Sequence, residues 1–304
     1  MLLNNRKNRR QEPSMASGTL NLMMLEFAPE WEDVNANLSR LDALVERIFS
    51  LPSCGFPGGE QAAADNGDRG ESVPAPGFMP DIIVLPEFFS TGFSMNPCVA
   101  EYQDLSPSLG WMLRTAALYD CAVAGSIPVI GPDGRRFNRF FFVTPEGVLG
   151  QYDKRHLFFG GEDASYTHGT DRVILEYKGW KILLGTCFDL RFPVWMRNDG
   201  NDPYDLYLNV ANWPAARRKA AEVLAAARAI ENVCYVAFCN RAGHDPLLAY
   251  DGGSSVINHR GRVRSVSSRV MDTDVVYAVL DMAEMLRFRA SFPILGLVDR
   301  HDLL

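Results

Sequence analysis

A chain of 304 residues, 47% apolar and 22% charged, is long enough for one large α/β domain or two small ones and has the composition of an ordinary globular protein. Its formal net charge of −7 gives no support to a nucleic-acid or anionic-membrane partner, and no stretch approaches the roughly 18 continuous apolar residues of a membrane span. Six cysteines with no C-x-x-C pair and no histidine at zinc-finger spacing argue against a structural metal, and they favour a reducing compartment, the cytoplasm.

The chain opens with basic residues, but no apolar run of seven or more follows them, so the start does not read as a secretory signal. Residues 1–17 read as a disordered tail, with Met15 an alternative start, and residues 18–304 as the folded domain. Thr19 to Phe27 has the apolar density of a strand. Asp33 is an N-cap candidate for a helix that Val34, Leu38, Leu41, Leu44, Val45 and Ile48 carry to about Phe49. Residues 50–79, rich in Pro, Gly, Ala and Asp without periodicity, read as a flexible insertion.

Asp81-Ile-Ile-Val-Leu-Pro-Glu87 reads as a strand buried on both faces with a carboxylate at its end, where open α/β sheets place their chemistry. A helix over 109–119, a strand over 122–127 and a turn at Gly131-Pro-Asp-Gly134 follow. Arg136-Phe-Asn-Arg-Phe-Phe-Phe-Val143, a turn at Pro145-Glu-Gly147 and a short strand from Val148 complete a run of hairpins. That series ends at Tyr152-Asp-Lys154-Arg-His-Leu-Phe158, followed by Gly161-Glu162. Aromatic residues on both sides argue for partial burial of this charge cluster, and a buried lysine can act as a fixed cation for a developing oxyanion.

In Lys181-Ile-Leu-Leu-Gly-Thr-Cys187-Phe-Asp-Leu-Arg191-Phe-Pro193 an apolar strand stops at a Gly-Thr pair and delivers one cysteine onto a bend. A thiol so placed is reachable, and its thiolate is a strong nucleophile once a base takes the proton. Asp189 and Arg191 read either as a buried ion pair that fixes this bend or as substrate contacts, and His156 as structural. A strand over 204–211, an Ala-rich helix over 215–230, a buried strand over 234–239 and a polar loop over 240–245 come next. Strands over 254–257 and 275–280, a short helix over 282–288 and a C-terminal arm finish the chain.

A carboxylate, a lysine and a cysteine at the ends of three strands make a convergent set of the kind acyl transfer needs. The stretches that carry them resemble the three catalytic signatures of the nitrilase superfamily of carbon-nitrogen hydrolases. Within it, Asn212-Trp-Pro214, Ala227-Arg-Ala-Ile-Glu-Asn232 and Ser291-Phe-Pro293 look most like the ω-amidase branch. The resemblance implies a single-domain α/β fold, a four-layer α-β-β-α sandwich, pairing into homodimers by apposed helices and C-terminal arms or assembly into a higher homo-oligomer, and no metal or organic cofactor.

It also implies roles. Glu87 would be the general base, Cys187 the nucleophile, Lys154 and the backbone N–H of Phe188 the oxyanion donors, and Glu162 a second glutamate orienting Lys154 and the substrate. Phe93, Phe158 and Trp213 are candidates to line the pocket. The implied reaction is hydrolysis of a small ω-amide of a dicarboxylic acid, such as α-ketoglutaramate, through a thioester. Alternatives are another carbon-nitrogen substrate, such as deaminated glutathione, a carbamoyl compound or a nitrile, and an inactive scaffold on the same fold. Two positions depart from the branch: Phe188 stands where tyrosine is usual, and Ala221 near a usual tryptophan, which is expected to reshape the pocket.

Overall fold

The structure, a computed structural model, describes residues 18–51 and 78–297. The expected tail, nearly all of the 50–79 insertion and the end of the C-terminal arm lie outside the described residues.

In chain order the strands of the first half are β1 (Thr19–Leu25), β2 (Ile82–Val84), β3 (Glu101–Tyr102), β4 (Ala122–Ile130), β5 (Arg136–Thr144) and β6 (Gly147–Asp153). Those of the second half are β7 (Ile174–Tyr177), β8 (Trp180–Thr186), β9 (Leu206–Ala211), β10 (Tyr235–Asn240), β11 (Ala242–His244), β12 (Ala249–Asp251), β13 (Ser255–Ile257), β14 (Ser265–Val270) and β15 (Thr273–Asp281). The helices are α1 (Val34–Ser50), α2 (Pro107–Tyr119), α3 (Glu162–Ser165), α4 (Arg218–Asn232) and α5 (Met282–Ser291). Among the described residues the larger sheet runs β14-β15-β1-β2-β4-β5-β6, with β3 on β4, and the smaller runs β13-β10-β9-β8-β7.

Period-two alternation sets the layers. Leu20, Leu22 and Met24 of β1 face the smaller sheet, while Met23 and Leu25 face the cluster built with α1 and α2. Buried on both faces, β1 therefore reads as a continuous apolar run. On the far side, Ala221, Ala225 and Ala229 of α4 pack on the smaller sheet, so the two sheets sit back to back between helices. This is the α-β-β-α layering expected above.

Helix boundaries follow the local chemistry. Asp33 caps α1 by accepting from Ala36 N at 3.0 Å. Helix α2 starts two residues before the expected Leu109, because Ser106 Oγ accepts from Leu109 N at 2.9 Å and Pro107 takes the first helical position, where no N–H is needed. Residues 215–217 form a 3₁₀ turn, not α-helix, before α4 begins at Arg218. Strands β7 and β14 and the β11–β12 hairpin carry too few alternating apolar residues to announce themselves. Ladder pairing with β8, with β15 and with one another holds them in place.

Candidate active site

Each of the three sequence stretches ends on a break in a strand. The β2 ladder continues through Leu85 N to Ala124 O at 2.7 Å; Pro86 then turns the chain, and Glu87 enters a tight turn whose next residue, Phe88, has φ 47°. Strand β6 stops at Asp153, yet Lys154 N still donates to Asn138 O at 3.0 Å, so Lys154 lies directly across from Asn138 on β5. Strand β8 stops at Thr186. Cys187 follows with φ 44°, a left-handed conformation rare for a residue with a Cβ, and it opens a 3₁₀ turn over Cys187–Arg191.

Asp189 holds that turn. Its Oδ2 accepts from Thr186 N at 2.9 Å and from Tyr152 Oη at 2.7 Å, and its Oδ1 accepts from His156 N at 3.0 Å and meets His156 Nδ1 at 2.8 Å. The expected alternative of an Asp189–Arg191 ion pair is thus corrected. Asp189 is fully buried and its side-chain hydrogen-bond partners include His156, whereas Arg191 is exposed and its guanidinium lies 4.9 Å from the Trp213 ring centroid. The structural role expected of His156 fits its stacking on Phe192 at 3.7 Å. Replacing Asp189 by alanine is expected to cost several kcal/mol, because it strands several donors at once. Thermal unfolding checks this, and Asp189→Asn, which keeps one acceptor oxygen, should lose less.

The expected site residues converge. Glu87, Lys154 and Glu162 are each fully buried. Lys154 Nζ lies 2.9 Å from Glu87 Oε1, and 3.0 and 2.7 Å from the two oxygens of Glu162. Glu162 sits in the first turn of α3, where its Oε2 also accepts from Phe158 N at 2.7 Å. The other oxygen of Glu87, Oε2, accepts from Asn212 N at 2.8 Å. Cys187 Sγ is 3.9 Å from Asn212 O, so one residue of the β9 exit touches both the carboxylate and the thiol.

Burial dominates the electrostatics. It pushes the Cys187 thiol well above its ordinary value, with Glu87 adding to the rise and Lys154 opposing it. The resting thiol is therefore neutral and needs a base before it can attack. Lys154 is driven up by Glu162 and Glu87 despite the opposing cost of burial, so it stays charged. Burial raises the Glu162 carboxyl, and Lys154 pulls it back.

Cys187 and Lys154 open onto a cavity of about 300 Å³, and the expected Phe93, Phe158 and Trp213 line it. Arg217, Leu248 and Tyr250 line it too, and sequence reasoning had not singled them out. Leu248 and Tyr250 reach it from the β11–β12 hairpin, which begins within the expected polar loop over 240–245 and runs past it; only its packing reveals the contribution. Phe188 lines the cavity and meets Phe158 edge-on at 5.4 Å. Ala221, on the inward face of α4, is buried in the core and is not part of the cavity wall, so the expected reshaping of the pocket at that position is corrected.

A model of the carbon-nitrogen hydrolase family matches residues 19–290. The chain belongs to that family. It is 37% identical over 288 residues to omega-amidase YafV of Yersinia enterocolitica, covering 94% of this chain and 99% of the relative. It is 30% identical over 217 residues to 2-oxoglutaramate amidase of Bacillus subtilis, covering 70% and 83%. Among solved structures, XC1258 of Xanthomonas campestris, a CN-hydrolase superfamily protein with an arsenic adduct in its active site, superposes with a TM-score of 0.79 at 35% identity, covering 94% of this chain and 99% of that one. The back-to-back sheets of this carbon-nitrogen hydrolase are thus the nitrilase-type sandwich, and the convergent cluster lies within the matched span. No helix among the described residues is long and apolar enough to cross a membrane.

Proposed function

We propose that this carbon-nitrogen hydrolase is an ω-amidase, releasing ammonia from a small ω-amide of a dicarboxylic acid such as α-ketoglutaramate. One observation carries the reading beyond the family. The cavity that holds Cys187 and the fully buried Lys154 is also lined by two exposed guanidinium groups, Arg191 and Arg217, and among the described residues neither is paired with a carboxylate. Arg191 rests on Trp213, and Arg217 on Phe158 at 5.3 Å. An ω-amide has matching ends: an amide for the thiol and a carboxylate for the arginines, which bind it with charge-assisted hydrogen bonds. The names of the relatives from Yersinia and Bacillus support the same substrate class.

In the proposed mechanism Glu87 takes the proton of Cys187 as Sγ attacks the amide carbon. The developing oxyanion is met by Lys154 Nζ and by the N–H of Phe188, which sits in the first turn of a 3₁₀ helix, where no carbonyl of that turn can accept it. Two of the three oxygens around Nζ belong to Glu162, so one N–H directed between them leaves another free for substrate. Collapse of the adduct returns the proton from Glu87 to the leaving nitrogen, releasing ammonia and leaving a thioester. Water then attacks with Glu87 again as base, the acid departs and the thiol is restored.

Ammonia release across a panel of ω-amides, neutral amides, carbamoyl compounds and nitriles tests the substrate. A turnover preference for neutral amides or nitriles would overturn it. Arg217→Ala is expected to raise KM for a carboxylate-bearing amide about tenfold to a hundredfold, the scale of a lost hydrogen bond to a charged group, and to leave a neutral amide nearly unaffected. Exposed Val223 and Ile230 on α4 support the dimer formed by apposed helices, which sedimentation equilibrium would test. The free thiols, Cys187 among them, suit the cytoplasm.

A further inference from the structure

Strand β5 carries Phe140 and Phe142 into the core between the sheets, and two-residue alternation puts Asn138 on that same inward face. A fully buried asparagine in an aromatic row calls for a reason. Its Nδ2 lies 2.7 Å from Glu87 Oε1 and 2.8 Å from Glu162 Oε1, the same two oxygens that Lys154 Nζ reaches. Its Oδ1 has no partner among the described residues. Ionised carboxylates only accept, so the amide nitrogen must face them, and the orphan oxygen is the consequence of that orientation.

We propose that Asn138 is a positioning residue for the hydrolysis: it clamps Glu87 to Glu162 by donating one N–H to each carboxylate, and so holds Glu87 in place as base. The inference rests on the assignment of Glu87 as base under the proposed function. Two carboxylates face one ammonium, which leaves the cluster one negative charge in excess, with the neutral Cys187 thiol and the Tyr166 hydroxyl as the other titratable neighbours. Asn138 supplies one N–H to each carboxylate without adding a cation. A second lysine there would neutralise the base; an apolar residue would leave Glu87 Oε1 and Glu162 Oε1 to Lys154 alone. The cross-strand pairing of Asn138 O with Lys154 N fixes the donor and the cation in one register. Burial raises the Glu162 carboxyl, and Lys154 and the Asn138 hydrogen bond both oppose that rise.

The test compares wild type, Asn138→Ala and Asn138→Asp by the pH dependence of Cys187 alkylation with iodoacetamide, read by peptide mass so that exposed Cys98 does not interfere, and of ammonia release in parallel. In Asn138→Ala the acid limb of both profiles should move to higher pH by about one unit, the scale of losing a hydrogen bond that stabilises a charge. Ammonia release should lose kcat with little change in KM. Asn138→Asp keeps the shape and adds a like charge, so its limb should move further; it also gives the reading if the alanine variant does not fold. Folded variants that retain the wild-type limb, or that slow by the same factor at every pH, would overturn the proposal. Wild-type alkylation with a clear acid limb but no ammonia from any ω-amide would remove the substrate and leave the clamp standing. A wild-type profile with no acid limb would remove the base assignment and the clamp with it.

Discussion

Replacing Cys187 by alanine is expected to lower ammonia release by about 10⁴-fold or more, the scale seen when a nucleophile that works as part of a unit is removed. Stability should change by no more than about 1 kcal/mol. The left-handed conformation at φ 44° is imposed by the turn, and alanine, which also has a Cβ, bears the same strain. The thiol's one polar contact among the described residues, a 3.9 Å approach to Asn212 O, is too long to contribute much. Turnover near the wild-type level would show that another group attacks the amide. A large loss of thermal stability would show that the cysteine is there for packing.

Removing Lys154 should strike stability and activity together. Lys154→Met leaves Glu87 and Glu162, both fully buried, without a cation between them. Breaking a buried pair by deleting one partner costs about 3–5 kcal/mol, because the remaining charge is uncompensated. For a chain of this size that corresponds to a fall in Tm on the order of 10 °C. The pH dependence has a definite sign. Burial already raises the Glu162 carboxyl, and without Lys154 nothing of comparable strength opposes it. A group whose folded-state pKa is raised contributes its stability below the unfolded value and loses it as pH climbs through the folded one. The deficit of the variant should therefore be largest at neutral and alkaline pH and shrink on acidification. Adding Glu162→Gln to Lys154→Met should recover part of the stability and none of the activity. Melting curves across pH check both statements, and a deficit that does not vary with pH would show that the lysine contributes only packing.

The sequence is eloquent about ends of elements and poor at relations between them. Four buried apolar residues ahead of Glu87, and a Gly-Thr stop ahead of Cys187, are local signals. They place both residues at strand exits whatever the rest of the chain does. The α1 cap at Asp33 is of the same kind. Strand β14, by contrast, is Ser-Val-Ser-Ser-Arg-Val, which no alternation rule singles out, and it exists because β15 offers it a ladder. Asn138 stood in plain view between Phe137 and Arg139. Its polarity on an inward face was a usable signal once β5 had been placed.

The amino-acid order alone thus settled which residue types end the strands, where α1 and α5 begin and which chemistry-bearing motifs the chain holds, since these depend on neighbours a few positions away. Folding decided the partners: His156, not Arg191, for Asp189; Asn138 and Lys154 together for the two glutamates; and the hairpin residues Leu248 and Tyr250 for the cavity wall. Most of these choices join positions two dozen or more residues apart. They turn on sheet register and on which buried charge finds a counter-charge within about 3 Å, and no local pattern encodes either.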